Sequence, residues 1–282
     1  PVSLAISGVV VVILVDYLRV HQGWGWLRLV QGASAFKDTP GLLFTKVMGS
    51  GHQGGFSLRP SASHQGLICV FDHADRADQF LAGPWLSAYQ QRAKQCQASL
   101  LAITSCKGAW DGRAFDVTPD DKLGHYAFEP RNPAMAAITR ASIRPAKAVA
   151  FWRYAPAAQA DLSQAPGCSV AMGLGEAPLV RQCTFSVWRD TQAMLDYAHT
   201  RAHHKQMQAP AGIGPRHRVA NAANLNAKVL PHRAPAHHPL RRIPSLCSAI
   251  KGGRGNLHIS PTFASTCKPK SSQGLLRIQR MC

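Results

Sequence analysis

Two stretches of the chain follow one plan. "LLFTKVMGSG" leads, across a loop, to "GLICVFDHADRADQFL", and "CSVAMGLGEAP" leads to "VRQCTFSVWRDTQAMLDYA". In each, an apolar strand runs into glycines, a second strand follows, and an Asp precedes a run with apolar residues at helical spacing. A doubled unit of this kind limits the fold sharply, because both copies must take up one and the same arrangement of strands and helix.

The rest of the pattern extends the unit. The valine-rich run ending at Tyr17 reads as a strand, since β-branched side chains suit a pleated buried surface. Trp24 to Phe36 has helical spacing, stopped by Thr39-Pro40-Gly41. Residues 42–48 and 66–71 read as strands, Asp72 to Leu81 as a helix capped by Asp72, and Ala98 to Cys106 as a closing strand. The order β-α-β-β-α-β is the split βαβ arrangement of ferredoxin-like folds. In the second copy, Lys147 to Tyr154 reads as the first strand, 158–165 as a short helix, Cys168 to Gly175 and Val180 to Trp188 as strands, and the segment after Asp190 as a helix. The expected fold is α+β, with two ferredoxin-like split βαβ repeats. The repeats are read as 1–116 and 137–208, joined by a linker at 117–136, and the second is expected to be incomplete because no strand pattern follows its last helix.

Gly49, Gly51 and Gly54 match the spacing G-x-G-x-x-G after a strand. The dinucleotide reading fails here, because the third glycine must open a helix whose free N–H groups receive the pyrophosphate. After Gly54 come Gly55, Phe56, Ser57, Leu58, Arg59 and Pro60, a loop leading to another strand. The glycines are therefore read as shaping a pocket where two strand-connecting loops bend closely, with Gly173 and Gly175 as their counterparts in the second copy.

The formal charge of +18 raises the question of nucleic acid, but its placement answers it. Residues 209–282 hold twelve Lys or Arg and no Asp or Glu, which leaves 20 basic and 14 acidic residues upstream. The segment 209–282 has little apolar periodicity, no Gly-Arg repeats and no aromatic interleaving. It reads as a basic, disordered or out-of-frame tail, and no nucleic-acid partner is expected. Eight cysteines include no C-x-x-C pair or zinc-like spacing. They read as reduced, buried thiols in a cytoplasmic protein. The apolar run Leu4 to Val15 is too short to span a bilayer, which takes ~20 residues.

The segments "PGLLFTKVMGSG", "KGAWDGRAF", "AAITRASIRPAKAVAFWRY" and "GLGEAPLVRQCTFSVWRDTQAMLDYA" resemble the spheroidene monooxygenase family, over roughly residues 36–206. The resemblance implies that the two repeats form a dimeric α/β-barrel-like domain, and that the protein is a haem-dependent oxygenase that introduces a keto or hydroxyl oxygen on an acyclic carotenoid. It also implies an external electron donor such as a ferredoxin, an apolar polyene substrate, and peripheral membrane or lipid contact. In that family the last helix continues into an amphipathic segment and a final strand. Here "HHKQ" is followed by "MQAPAGIGPRHR", a departure that points to a frameshifted or mis-spliced end near Gln206. The alternatives kept beside the oxygenase are a non-catalytic haem or apolar-ligand binder on the same barrel and an inactive truncated copy.

Haem needs an axial ligand and anchors for its propionates. The imidazoles of His21, His52, His64, His73, His125, His199, His203 and His204 are the candidates. The resemblance favours His203 as the iron ligand, with His199, one turn away, second. Arg140 and Arg144, four apart on a segment read as extended, offer guanidinium groups for carboxylates, and Lys46 interrupts an apolar strand where its charge must reach a cavity, a partner or solvent. Trp110 and Trp188 fit a polyene channel or the core. Glu176, beside the second glycine pair, fits a proton relay or a strand-end cap.

Overall fold

The computed structural model describes residues 5–126, 134–177, 180–207 and 220–230. The first repeat comprises β1 (Val9–Tyr17), α1 (Gln22–Gln31), β2 (Leu42–Gly51), β3 (Pro60–Phe71), α2 (Ala74–Ala82), α3 (Pro84–Arg92) and β4 (Ala93–Lys107). A two-stranded hairpin follows, β5 (Ala109–Trp110) and β6 (Arg113–Ala114). The second repeat comprises β7 (Met135–Ser142), α4 (Ala148–Ser163), β8 (Cys168–Ala177), β9 (Arg181–Trp188), α5 (Thr191–Met207) and β10 (Ala220–Leu230).

Eight strands close one antiparallel barrel in the order β1-β3-β2-β8-β9-β7-β10-β4. Each repeat supplies a four-stranded sheet with its first and third strands central, β4-β1-β3-β2 and β10-β7-β9-β8, as the split βαβ pattern predicts. The sheets join at two seams, β2 to β8 and β10 to β4. Closure removes the free edges that either sheet alone would expose.

The alternation of β1 explains its unbroken valine run. Val10, Val12 and Leu14 face the barrel interior with Met48, Ile68, Leu101, Ile138 and Phe185. Val9, Val11, Ile13 and Val15 face outward beneath the helices, with Phe36, Phe80, Leu86 and Tyr89. A strand buried on both faces has no polar position to spare. On the second repeat the outer layer is smaller and gathers Met135, Leu162, Trp188 and Met194.

Three expectations are corrected. The second repeat is not missing its last strand: Ala220–Leu230, inside the stretch read as tail, pairs with both β4 and β7. "ANAANLNAKVL" lacks the β-branched alternation that signals a strand, and its pairing partners supply what propensity does not. Lys147 to Tyr154 is not a strand: Ala148–Ser163 is helical, and the first strand of the repeat is Met135–Ser142. The β-branched and aromatic residues of that segment mislead because the helix is decided over its whole alanine-rich length. Asp72 does not cap α2: the N-cap is His73, and Asp72 Oδ1 is buried without a hydrogen-bond partner. Asp190 does cap α5, accepting the Ala193 N–H at 2.8 Å. The rest of the stretch read as tail, 209–219 and 231–282, lies outside the described residues.

Candidate functional site

The sequence "WDGR" makes a hairpin whose two turn residues, Asp111 and Gly112, have φ of 51° and 79°. Positive φ at both positions is the demand of the turn that matches strand twist, and Asp-Gly meets it. The hairpin sets its tip against one end of the barrel. There Asp111 meets Lys46 of β2, Arg140 of β7 and Arg181 of β9.

Arg140 is 3% exposed. Its Nη2 donates to Asp111 Oδ1 at 3.0 Å and its Nε to Glu176 Oε1 at 3.2 Å. Lys46 Nζ pairs with Asp111 Oδ2 and lies 3.2 Å from Glu176 Oε2. The Trp110 indole N–H donates to Glu176 Oε1 at 2.8 Å. Arg181 Nη1 stands 3.7 Å from Asp111 Oδ1. The register explains the convergence. Lys46, Arg140 and Glu176 occupy inward-facing rows of β2, β7 and β8, above the apolar interior, so each can reach a partner only toward the mouth.

Three cations and two carboxylates leave one positive charge in excess. Burial disfavours the Asp111 carboxylate, but the Lys46 ammonium together with Arg140 and Arg181 outweighs it and holds the carboxyl below its ordinary value. Beside the pairs lies a cavity of about 400 Å³ lined by Gly108, Asp111, Gly112, Arg140, Ser142 and Arg181. A more open hollow of about 410 Å³ lies on the other side of Lys46 and Asp111, bounded by Ala33, Phe36, Leu43 and Arg113. Two guanidinium groups facing a cavity suit a carboxylate or another planar anion.

Of the residues singled out in the sequence, Lys46, Arg140, Trp110 and Glu176 meet at this mouth. Trp110 is 2% exposed. It packs edge-on to Phe44 at 5.5 Å, with the Arg140 guanidinium 6.0 Å from its ring, so it belongs to the core beneath the cavity. Trp188 packs under α5 against Tyr197 at 5.2 Å. Arg144 does not join Arg140: β7 ends at Ser142, and Arg144 is exposed beyond it. His199 is exposed on the outer layer, while His203 lies on α5 with its side chain, like that of His204, outside the described residues. His64 pairs with Asp16 at 3.6 Å, toward the other end of the barrel; burial lowers its basicity more than Asp16 raises it. None of the described histidines lines the 400 Å³ cavity.

The glycines sit at the seam between the repeats, where Gly49 pairs with Gly175. A Cβ on Gly51 would come within 2.3 Å of the Gly55 carbonyl oxygen, and one on Gly173 within 3.0 Å of the Gly55 carbonyl carbon. These two positions let the β2–β3 connection fold onto the seam. Gly49 and Gly175 have ordinary room for a side chain.

Asp111 and Arg181 were not read from the sequence as site residues. The Asp-Gly turn signal was present in "WDGR", whereas nothing local marks Arg181, whose role depends on the neighbour that closure brings to it.

No protein-family model matches the chain. Among solved structures, aldoxime dehydratase covers 78% of the chain and 81% of its own, at 12% identity and a TM-score of 0.44. A ferredoxin-fold protein of Listeria monocytogenes related to antibiotic biosynthesis monooxygenases has 9% identity, covering 80% of this chain and 97% of its own, with a TM-score of 0.28. Sequence relatives are much nearer. Spheroidene monooxygenase of Rhodobacter capsulatus is 30% identical over 177 residues, 62% of this chain and 71% of that protein. Spheroidene monooxygenase of Rubrivivax gelatinosus is 40% identical over 210 residues, 74% of this chain and 79% of that protein. On that identity and coverage, the chain belongs to the spheroidene monooxygenase family.

Proposed function

We propose that this protein is a haem-dependent monooxygenase that introduces a keto or hydroxyl oxygen on an acyclic carotenoid, using O2 and an external electron donor such as a ferredoxin. The observation that carries the reading is the 40% identity over about four-fifths of a relative named spheroidene monooxygenase. Each oxygen atom inserted into a C–H bond leaves the other to be reduced to water by two electrons and two protons. A methylene becomes a carbonyl after two such insertions and loss of water, so a renewable donor is required.

The described residues meet part of what haem requires. Arg140, Arg181 and Lys46, with their excess positive charge beside a cavity, are donors of the kind propionates take. The iron ligand is assigned to α5, at His203, with His199, exposed one turn before it, as the second choice. Haem, when bound, would supply the activation of O2. The chain's own contribution is to orient and to exclude water. The Asp111–Gly112 turn covers the mouth, Glu176 fixes Arg140 and the Trp110 indole, and the packed interior leaves a long polyene to approach from the outer hollow rather than through the barrel. A substrate of this kind is held in lipid, which implies peripheral membrane contact.

The test is the ultraviolet–visible spectrum of the full chain expressed with haem supply, beside His203→Ala. The expected outcome is an intense Soret band in the parent that shifts or disappears in the variant. A folded parent with no Soret band overturns the haem reading. A band unchanged in His203→Ala but lost in His199→Ala moves the ligand by one turn.

A further inference from the structure

Helix α1 is apolar on both sides. Toward the barrel, Trp24 packs edge-on to Tyr17 at 5.9 Å and to Tyr89 at 5.1 Å, and Gly25 is buried against the Tyr17 ring. Away from the barrel, Gly23, Trp26, Leu27 and Val30 follow the spacing i, i+3, i+4, i+7 and share one face. Trp26 is 43% exposed, Leu27 49% and Val30 81%; Val20, in the turn just before the helix, is 83% exposed. A helix apolar all round is ordinarily covered all round. Scattered exposed apolar residues need no explanation, but a contiguous stripe marks an interaction surface.

Two observations identify what covers it. The first is charge. Residues 17–37 carry Arg19, Arg28 and Lys37 and no carboxylate; of the acids that bound the segment, Asp16 pairs with His64 and Asp38 is exposed beside Lys37, so the cations outnumber the free acid. Arg28 is held over the Trp24 and Trp85 rings at 5.0 and 5.7 Å, while Arg19 and Lys37 are exposed at either end. An apolar stripe containing an indole and rimmed by cations fits the boundary of an anionic bilayer, where Trp is favoured and cations are drawn to the negative surface potential. The second is continuity. The α1 helix runs through Gly32 into a 3-10 turn, Gly32–Phe36, and Ala33, Phe36 and Lys37 border the open hollow that reaches Lys46 and Asp111.

We propose that the outward face of α1 docks on an anionic lipid bilayer, inserting Trp26, Leu27 and Val30 at the headgroup boundary with Arg19 and Lys37 against lipid phosphates. The proposal rests on the reading that the substrate is a lipid-dissolved polyene, and it assigns the surface through which that substrate is met. No described helix is long and apolar enough to cross a membrane, so this is attachment to the surface.

The experiment uses the full chain and vesicles of mixed phosphatidylglycerol and phosphatidylcholine. Partitioning is measured for the parent and for Trp26→Ser/Leu27→Ser/Val30→Ser, with Val149→Ser, exposed on α4, as the control. Residues 209–282 bring twelve cations of their own, but they are the same in every variant, so the difference reports the stripe. The expected result is at least a ~10-fold loss of partitioning in the triple variant and none in the control. Vesicles with brominated acyl chains should quench tryptophan fluorescence in the parent, and less in Trp26→Phe, which guards against misfolding of the triple variant. Equal partitioning of parent and triple variant, with equal quenching in Trp26→Phe, overturns the proposal. So does a triple variant that loses self-association in sedimentation velocity while vesicle binding is unchanged, which would make a second copy the occupant. Vesicle binding requires neither haem nor turnover. A chain that docks without a Soret band therefore overturns the haem reading and keeps this one, and the reverse result does the opposite.

Discussion

Asp111 faces Lys46, Arg140 and Arg181 at once, from a turn that only a few residue pairs could form. Its carboxyl is held below the ordinary value, so its contribution to stability is complete above the unfolded-state value of about 3.9 and is lost as pH falls through the lower folded value. We expect Asp111→Asn to lower the unfolding free energy by about 1 kcal/mol at neutral pH, a figure kept small because the side chain is partly exposed. Urea titrations of the two proteins should converge as acid protonates Asp111 in the parent. A gap that persists in acid would assign the loss to shape rather than charge. Arg140 shows how much of this was legible at the residue scale. Its guanidinium marked it as a binder of carboxylates, with propionates as the expected partners, but Asp111 and Glu176, the carboxylates it meets, lie 29 and 36 positions away in sequence, and only folding joins them.

Among the elements, local signals held at some places and failed at others. Asp190 precedes α5, and the structure gives it the capping bond to Ala193; that N–H, followed by the Arg189 guanidinium, holds its carboxyl below the ordinary value. Asp190→Ala should destabilise the protein by about 1 kcal/mol, measured by chemical unfolding, through loss of the cap. The seam glycines differ in a way their spacing in the sequence did not reveal. Gly51 and Gly173 are required by the approach of a loop, whereas Gly49 and Gly175 are not. The segment 147–154 was misread because β-branched and aromatic residues favour strands only where a sheet receives them. In this chain that place is taken by Met135–Ser142, paired to β9 and β10.

At the scale of the whole molecule, closure depends on β10. A chain ended after Met207 leaves β4 and β7 with unpaired edges and opens the barrel interior to water. It should aggregate or unfold without cooperativity in thermal scans, while a chain ended a few residues after Leu230 should retain one cooperative transition. If the shorter chain unfolds like the longer one, β10 contributes nothing to closure. The doubled strand–glycine–strand–helix plan, the buried valine strand and the concentration of twelve of the eighteen net positive charges in 209–282 were all determined by the sequence alone, because periodicity and composition act over neighbouring residues. The eighth strand, the meeting of Lys46, Asp111, Arg140, Glu176 and Arg181, and the apolar face of α1 left outside the barrel were decided by the tertiary structure. Each depends on which segment lies beside which once the two repeats close, and that is settled by edges seeking hydrogen-bond partners and buried charges seeking their opposites, not by the local run of residues.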